Sequence, residues 1–462
     1  MAKKTYVLDT SACLTDSESI QKYGNNDIVL PIKVLEDIDK HKKRQDGVGL
    51  NARSIIRALD GMREKGDLDK GVRLGKGKGV LRVVSLQTEE CFAPGRFPIE
   101  LDKSVPDHII IATAVQVENE VPRKKVILVS NDINMRVIGN SVGLTTEDYT
   151  NDKVIENQSD LYAGFTNLVV DDQLIDQFYA GETIYLEKED YPHLFPNQFA
   201  MLISSANEKK TALCRFKAYD YPIQRLTEKQ SVWGIAARNK EQLFALDLLM
   251  DPNIKVVSLV GKAGSGKTLI AIAAGLEQTL KNISVEEMAN STKRKGNIPT
   301  DNNRYRKLVV SRPVMPMGKD IGFLPGTMHE KMAPWLAPVE DNLKFLTGND
   351  QTTLDAYREK GIIEVEAITY IRGRSISNAF IIIDEAQNLT SHEIKTIITR
   401  VGENTKIVLT GDIEQIDNIY INEMSSGLTH AVEKFKEHGI AGHISLRKGE
   451  RSDVATLAAK IL

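Results

Sequence analysis

The chain has 462 residues, of which 41% are hydrophobic and 27% charged, with a formal net charge of −3. Its length exceeds one ordinary core and predicts two or three domains. The near-neutral charge excludes a uniformly basic nucleic-acid binder, and no apolar run reaches the roughly 20 residues needed to cross a bilayer.

MAKKTYVLDTSA at the N-terminus lacks the apolar core of a signal peptide, so a cytoplasmic setting without membrane attachment is expected. Cys13, Cys91 and Cys214 form no CxxC pair and signal neither a disulfide framework nor a zinc site. Over residues 1–150, short β-branched runs (Tyr6 to Leu8, Ile28 to Leu30, Val80 to Val84, Val126 to Val129) alternate with helical patterns such as Asp107 to Glu118. This alternation predicts a parallel sheet with crossover helices. Four acids follow those strands: Asp9, Glu36 one turn into a helix entered through Pro31, Asp107 at a helix start, and Asp132. Such positions meet in one crevice of a parallel sheet, where grouped carboxylates repel each other unless a divalent cation such as Mg²⁺ or Mn²⁺ neutralises them. Taken singly, each acid reads as well as a helix N-terminal charge or a solvated turn. Two basic clusters, Lys40 to Arg44 and Leu68 to Gly79, offer phosphate contacts or simply a soluble lysine-rich surface.

Residues 151–230 read as a small β-rich connecting domain, with strands expected in TIYLEKEDY, NQFAMLISS and TALCRFKAY. From 231 to 462 the βα alternation returns, predicting a second doubly wound α/β domain with strands at Val256 to Val260, Leu308 to Val310, Phe380 to Ile383 and Ile407 to Leu409. Within it, residues 284–306 are polar and read as an exposed insertion in a solvated loop.

The strand VVSLV runs into Gly261, Lys262, Ala263, Gly264, Ser265, Gly266, Lys267 and Thr268 and then the apolar helix LIAIAAGL. This is the strand, loop and helix setting of a P-loop, whose backbone N–H groups hold phosphate at a helix N-terminus. Lys267 is expected at the β- and γ-phosphates of ATP and Thr268 on its Mg²⁺. A second strand ends in Asp384, for the metal shell, and Glu385, to orient and deprotonate the attacking water. A Thr390 to Glu393 capping box then opens a helix, and strand KIVLT delivers Gly411-Asp412-Ile413-Glu414-Gln415. Gln242, ahead of an apolar helix, is the candidate for selecting adenine, and Arg312, Arg374 and Arg451 are candidate γ-phosphate arginines among which the sequence does not choose.

The P-loop, DEAQ and GDIEQ motifs resemble superfamily 1 helicase motifs I, II and III. SRPVMPMGKDIGFLPGTMHEKMAPWLAP with IRGRSISNAFIIIDEAQN resembles the PhoH family of ATPases over about residues 225–462. That resemblance implies nucleotide-binding or catalytic roles for Gln242, Gly261 to Thr268, Asp384, Glu385 and Gln415. It also implies a homo-oligomer, with a hexameric ring among the forms it allows, in which an arginine finger can act across subunits. Asp9-Thr10-Ser11, Glu36, Asp107 with its Ile-rich helix, and Ser130-Asn131-Asp132 resemble a PIN-domain ribonuclease over about residues 3–148, with Asn134 standing where some relatives carry another acid. The pairing resembles the PIN–PhoH architecture. The function expected from it is an ATP-dependent RNA helicase or translocase coupled to a metal-dependent endoribonuclease, acting on single-stranded or tailed RNA. The alternative is an ATP-regulated RNA-binding or toxin-like protein whose ATPase controls assembly.

Overall fold

The computed structural model describes residues 3–44, 47–87, 101–102, 104–149, 155, 160–226, 231–281, 303–313, 328–371, 373–418 and 420–448. Two compact units emerge, Met1–Lys153 and Val154–Leu462.

The first unit is built on six strands: β1 (Thr5–Leu8), β2 (Asp27–Pro31), β3 (Val72–Arg73), β4 (Val80–Val84), β5 (Val126–Val129) and β6 (Thr145–Glu147). They lie in the order β3-β4-β2-β1-β5-β6, with every pairing parallel except β3 on β4. Strands β1 and β5 are buried along their whole length, as expected where helices cover both faces of a parallel sheet. The chain moves outward from β1 in both directions, so the crevice at the carboxyl ends of β1 and β5 is the natural ligand position.

The second unit contains two sheets of size. The smaller comprises β7 (Phe165–Val170), β8 (Gln198–Ser204), β9 (Thr211–Phe216) and β10 (Gln224–Arg225), in the order β10-β9-β8-β7. One face is covered by the helix Asp172–Ala180, whose Ile175 and Phe178 join a core with Ala200, Leu202, Cys214 and Phe216. TIYLEKEDY is not a strand. Ile184 and Leu186 are buried in that core and Ile184 accepts one hydrogen bond from Ile223 N, but no ladder forms. The β7 strand and its helix were unexpected, because β7 alternates only weakly and edges the sheet.

After a short hairpin, β11 (Ser231–Val232) and β12 (Ile235–Ala236), comes the larger sheet: β13 (Val256–Gly261), β14 (Lys307–Arg312), β15 (Ile363–Ala367), β16 (Ala379–Ile383), β17 (Lys406–Gly411) and β18 (Ala441–Leu446). Its order is β15-β14-β16-β17-β13-β18, parallel throughout. Residues 284–302 of the expected insertion lie outside the described residues. Cys13 and Cys214 are free and buried, and Cys91 lies outside the described residues.

The smaller sheet is fastened to the helix Lys240–Met250. Phe199 stacks on Phe244 with centroids 4.4 Å apart. The buried Arg215 reaches Asp247 at 2.8 Å and Asp251 at 2.9 Å while its other arm donates to Asn197. Asn197 in turn donates to the carbonyls of Gly439 and Ala441. The same helix is closed at its C-terminus by Lys406, fully buried, whose ammonium donates to the carbonyls of Leu248 (3.0 Å), Leu249 (2.6 Å) and Asp251 (2.8 Å). Helix-end carbonyls have no partner within the helix and favour a cation. Lys406→Met is close in size but orphans the Leu248 carbonyl and leaves those of Leu249 and Asp251 only Gln278 Nε2 (3.2 Å) and Ile254 N (3.3 Å), and is expected to lower stability by about 1–3 kcal/mol. A shifted urea midpoint with an unchanged denaturant slope would show it.

Candidate functional site

The loop after β13 turns through Gly264 (φ +82°) and Gly266 (φ +88°), left-handed positions that favour glycine. A Cβ on Gly261 would lie 2.3 Å from the carbonyl oxygen of Leu446 on the neighbouring strand. Lys267 opens the helix Lys267–Leu280 and is buried, its ammonium donating back to the carbonyls of Gly261 and, at 3.0 Å, Lys262. It thus braces the loop that would surround the phosphates. Thr268 Oγ1 donates to Asp384 Oδ1 at 2.8 Å, and Thr410 Oγ1 donates to the same oxygen at 2.6 Å. A hydroxyl and a carboxylate in contact at a P-loop are the oxygen donors a nucleotide-bound Mg²⁺ requires.

Glu385 adopts the left-handed region (φ 54°), a conformation that costs a non-glycine residue about 1–3 kcal/mol and is characteristic of functional sites. Its Oε1 accepts from Arg312 Nη2 at 2.8 Å, and its Oε2 accepts from Gln387 Nε2. Gln387 is fully buried, donates also to the carbonyl of Gln415 (2.9 Å) and accepts from Asp412 N (3.1 Å). DEAQ and GDIEQ are therefore joined by one carboxamide. Gly411 must be glycine for this, since a Cβ there would stand 2.4 Å from Gln387 Oε1. Asp412 extends the connection to the P-loop by accepting from Ala263 N at 2.8 Å, and Glu414 pairs with Lys262 at 3.0 Å. Gln387, Thr410 and Asp412 went unassigned in the sequence; the signal was their place at the ends of two adjacent strands. The side chain of Gln415 stands exposed beside them.

Gln242 is buried beneath the loop, its Nε2 on the carbonyl of Ser265 (3.1 Å) and its Oε1 accepting from Arg238 N (2.9 Å). A carboxamide carries two donors and two acceptor lone pairs, so one of each remains for a base edge. Arg374 is not brought to this site. It pairs with Glu364 and Glu366 on edge strand β15, which β14, β16 and β17 separate from β13, a span of about 19 Å at ordinary strand spacing. Arg451 lies outside the described residues.

In the first unit, Asp9 is buried at the end of β1 and accepts from Thr10 N (2.5 Å), Ser11 N (3.3 Å), Ser11 Oγ (2.6 Å) and Ser130 Oγ (2.7 Å). Burial pushes its carboxyl above the ordinary value, against the pull of these hydrogen bonds. Burial also raises Asp107, with further upward pressure from the charges of Asp9, Asp132 and Asp37. Asp132 caps the helix Ile133–Ser141 by accepting from Asn134 N at 2.7 Å.

Glu36 requires correction. Its side chain is 58% exposed and paired with Lys33 at 2.9 Å, whereas Asp37, 16% exposed, faces the cluster and is met by Lys40 at 2.6 Å and Lys33 at 3.7 Å. The four acids of this crevice are Asp9, Asp37, Asp107 and Asp132. As placed, no three His, Cys, Asp or Glu side chains among the described residues converge closely enough to hold a metal ion. The donor set is nevertheless all carboxylate, and its shared repulsion is what a hard divalent cation relieves, so the residues fit Mg²⁺ or Mn²⁺ if the side chains draw inward.

Comparison with known proteins agrees with this division. A family profile described as PIN domain matches residues 6–150, and one described as PhoH-like protein matches residues 299–460, just beyond the P-loop. A Bacillus subtilis protein named PhoH2 is 41% identical over 99% of this chain and 100% of its own length. PhoH2 of Thermobispora bispora is 34% identical over 99% of this chain and 96% of its own. Escherichia coli PhoH is 34% identical but spans only 46% of this chain and 53% of its own length, in keeping with a likeness to one part. No helix among the described residues is long and apolar enough to cross a membrane. With two α/β units, a P-loop ATPase site in one and a carboxylate crevice in the other, matched end to end by such relatives, the chain belongs to the PhoH2 family, in which a PIN domain precedes a PhoH ATPase domain.

Proposed function

We propose that the chain is an RNA-processing enzyme in which ATP hydrolysis at the P-loop moves or unwinds RNA and the acidic crevice cuts it. One observation carries the reading: a single chain holds both a P-loop site with its metal and base carboxylates in register and a separate cluster of four acids at a sheet's carboxyl edge. In the first site Lys267 meets the β- and γ-phosphates, Thr268 and Asp384 hold Mg²⁺, and Glu385 takes the proton of the attacking water. Gln415 would sense the γ-phosphate and report it through Gln387.

In the second, Asp9, Asp37, Asp107 and Asp132 hold Mg²⁺ or Mn²⁺, which when bound supplies an activated water and stabilises the leaving oxygen. Asp9 is locked by its four donors and fixes the geometry around which the other three adjust. Domain limits of 1–150, 151–230 and 231–462, assembly as a homo-oligomer or hexameric ring with Arg451 or Arg374 acting between subunits, and a cytoplasmic setting belong to the same proposal.

The test is one reaction containing a structured RNA with a single-stranded tail, ATP, and Mg²⁺ or Mn²⁺, reading phosphate release, strand separation and RNA length together. RNA-stimulated hydrolysis with strand separation and metal-dependent shortening is expected. Hydrolysis indifferent to RNA, with the RNA intact, would leave only an ATP-driven regulator.

A further inference from the structure

The base carboxylate is held by an arginine whose second arm leads out of the site. Arg312 ends β14, beside β16, where Asp384 N donates to Ser311 O at 2.8 Å. Its Nη2 donates to Glu385 Oε1 at 2.8 Å, and its Nη1 donates to the carbonyl of Trp335 at 3.2 Å. Trp335 lies on the helix Met328–Leu346, which packs against the P-loop helix and sends Val339 and Leu343 into the core it shares with Ala271 and Leu276.

We infer that Arg312 is a positioning residue that restrains Glu385 and ties it to the helix Met328–Leu346, so that nucleic acid acting on this helix sets the rate of ATP hydrolysis. With Oε1 on Arg312 and Oε2 on Gln387, both oxygens of Glu385 are engaged. Each oxygen keeps a second lone pair, but the two contacts fix the plane of the carboxylate, so it turns toward the attacking water only when one of them yields. Gln387 is buried and fixed at its other contacts, whereas Arg312 is 19% exposed, so Arg312 is the partner free to yield. A shift of the helix moves the Trp335 carbonyl, and the planar guanidinium, which holds both contacts in one fork, moves with it. Arg312 is thereby separated from the γ-phosphate arginines.

This inference rests on the RNA-driven ATPase reading, and its test separates the two. ATP turnover is measured with and without a single-stranded RNA for wild type, Arg312→Met and Arg312→Lys, alongside the affinity of a fluorescent ATP analogue as the check on folding. For Arg312→Met, RNA-free turnover is expected to rise about threefold or more, the scale of one partly exposed ion pair. KM for ATP should stay unchanged and stimulation by RNA should fall toward none. Arg312→Lys, a point charge that cannot hold both partners, should fall between, and it carries the test if the methionine variant does not fold. A loss of turnover with and without RNA would make Arg312 a γ-phosphate ligand and overturn the inference, as would an unchanged stimulation ratio. If RNA fails to stimulate wild type while the RNA-free rate of Arg312→Met still rises, the restraint stands and the RNA reading falls.

Discussion

Lys267→Ala is expected to lower ATP turnover by about 10²- to 10³-fold, the scale of removing one preorganised charge-stabilising group from an enclosed site. Two losses combine. The ammonium that would neutralise charge developing between the β- and γ-phosphates disappears, and so does the brace on the carbonyls of Gly261 and Lys262 that shapes the loop. Arginine should not rescue, because a planar guanidinium does not reproduce the compact ammonium's contacts with the two carbonyls. Single-turnover hydrolysis at saturating ATP measures the effect on chemistry alone. A variant that retained more than a tenth of wild-type turnover would remove Lys267 from the reaction.

The second large effect lies in the other unit. Asp9→Asn and Asp107→Asn are each expected to reduce metal-dependent RNA cleavage by about 10²-fold or more, as loss of charge stabilisation at a reacting centre commonly does. They should separate in stability. Asn at position 9 must set its NH₂ either against Thr10 N, which Oδ1 serves, or against Ser11 N and the two serine hydroxyls, which Oδ2 serves, so a buried donor faces a donor at a cost of about 1–3 kcal/mol. Asn at position 107 removes one charge from four that repel, so metal-free stability should rise. The pH dependence has the same origin. Both carboxyls are raised in the folded state, so the folded unit binds these protons more tightly than the unfolded chain. Their contribution is complete below the ordinary value of 3.8 and is lost as pH climbs through their raised values. Added Mn²⁺ should therefore raise the melting temperature more in neutral than in mildly acidic buffer, and not at all in Asp107→Asn. An equal Mn²⁺ shift in the variant would place the cation elsewhere.

The sequence revealed the P-loop, DEAQ and GDIEQ because phosphate chemistry requires glycine, lysine and carboxylate at fixed offsets from a strand, and local order is enough to read them. It misassigned Glu36 through a local oversight. Val34 and Ile38 form the buried stripe of that helix, and residue 37 lies three positions from 34, on the same side. Residue 36 stands two positions from both, about 200° round the helix. The helical period already favoured Asp37. The fates of Arg312 and Arg374 were of another kind. One strand ends beside the base and the other lies at the sheet's far edge, and the order of six parallel strands is not written in any one of them. Gln387 was hidden similarly, since its partners come from a strand more than twenty residues away.

The fastening of the smaller sheet has a practical corollary for anyone dissecting this protein. A truncation beginning near residue 231 would strip Arg215 from Asp247 and Asp251, leave Phe244 without its stacked ring, and remove Asn197 from the chain leading into β18. The damaged helix is the one that places Gln242 under the P-loop. An isolated ATPase fragment should therefore start ahead of residue 160, and a shorter one that proved inactive would report a severed foundation rather than a missing catalytic group.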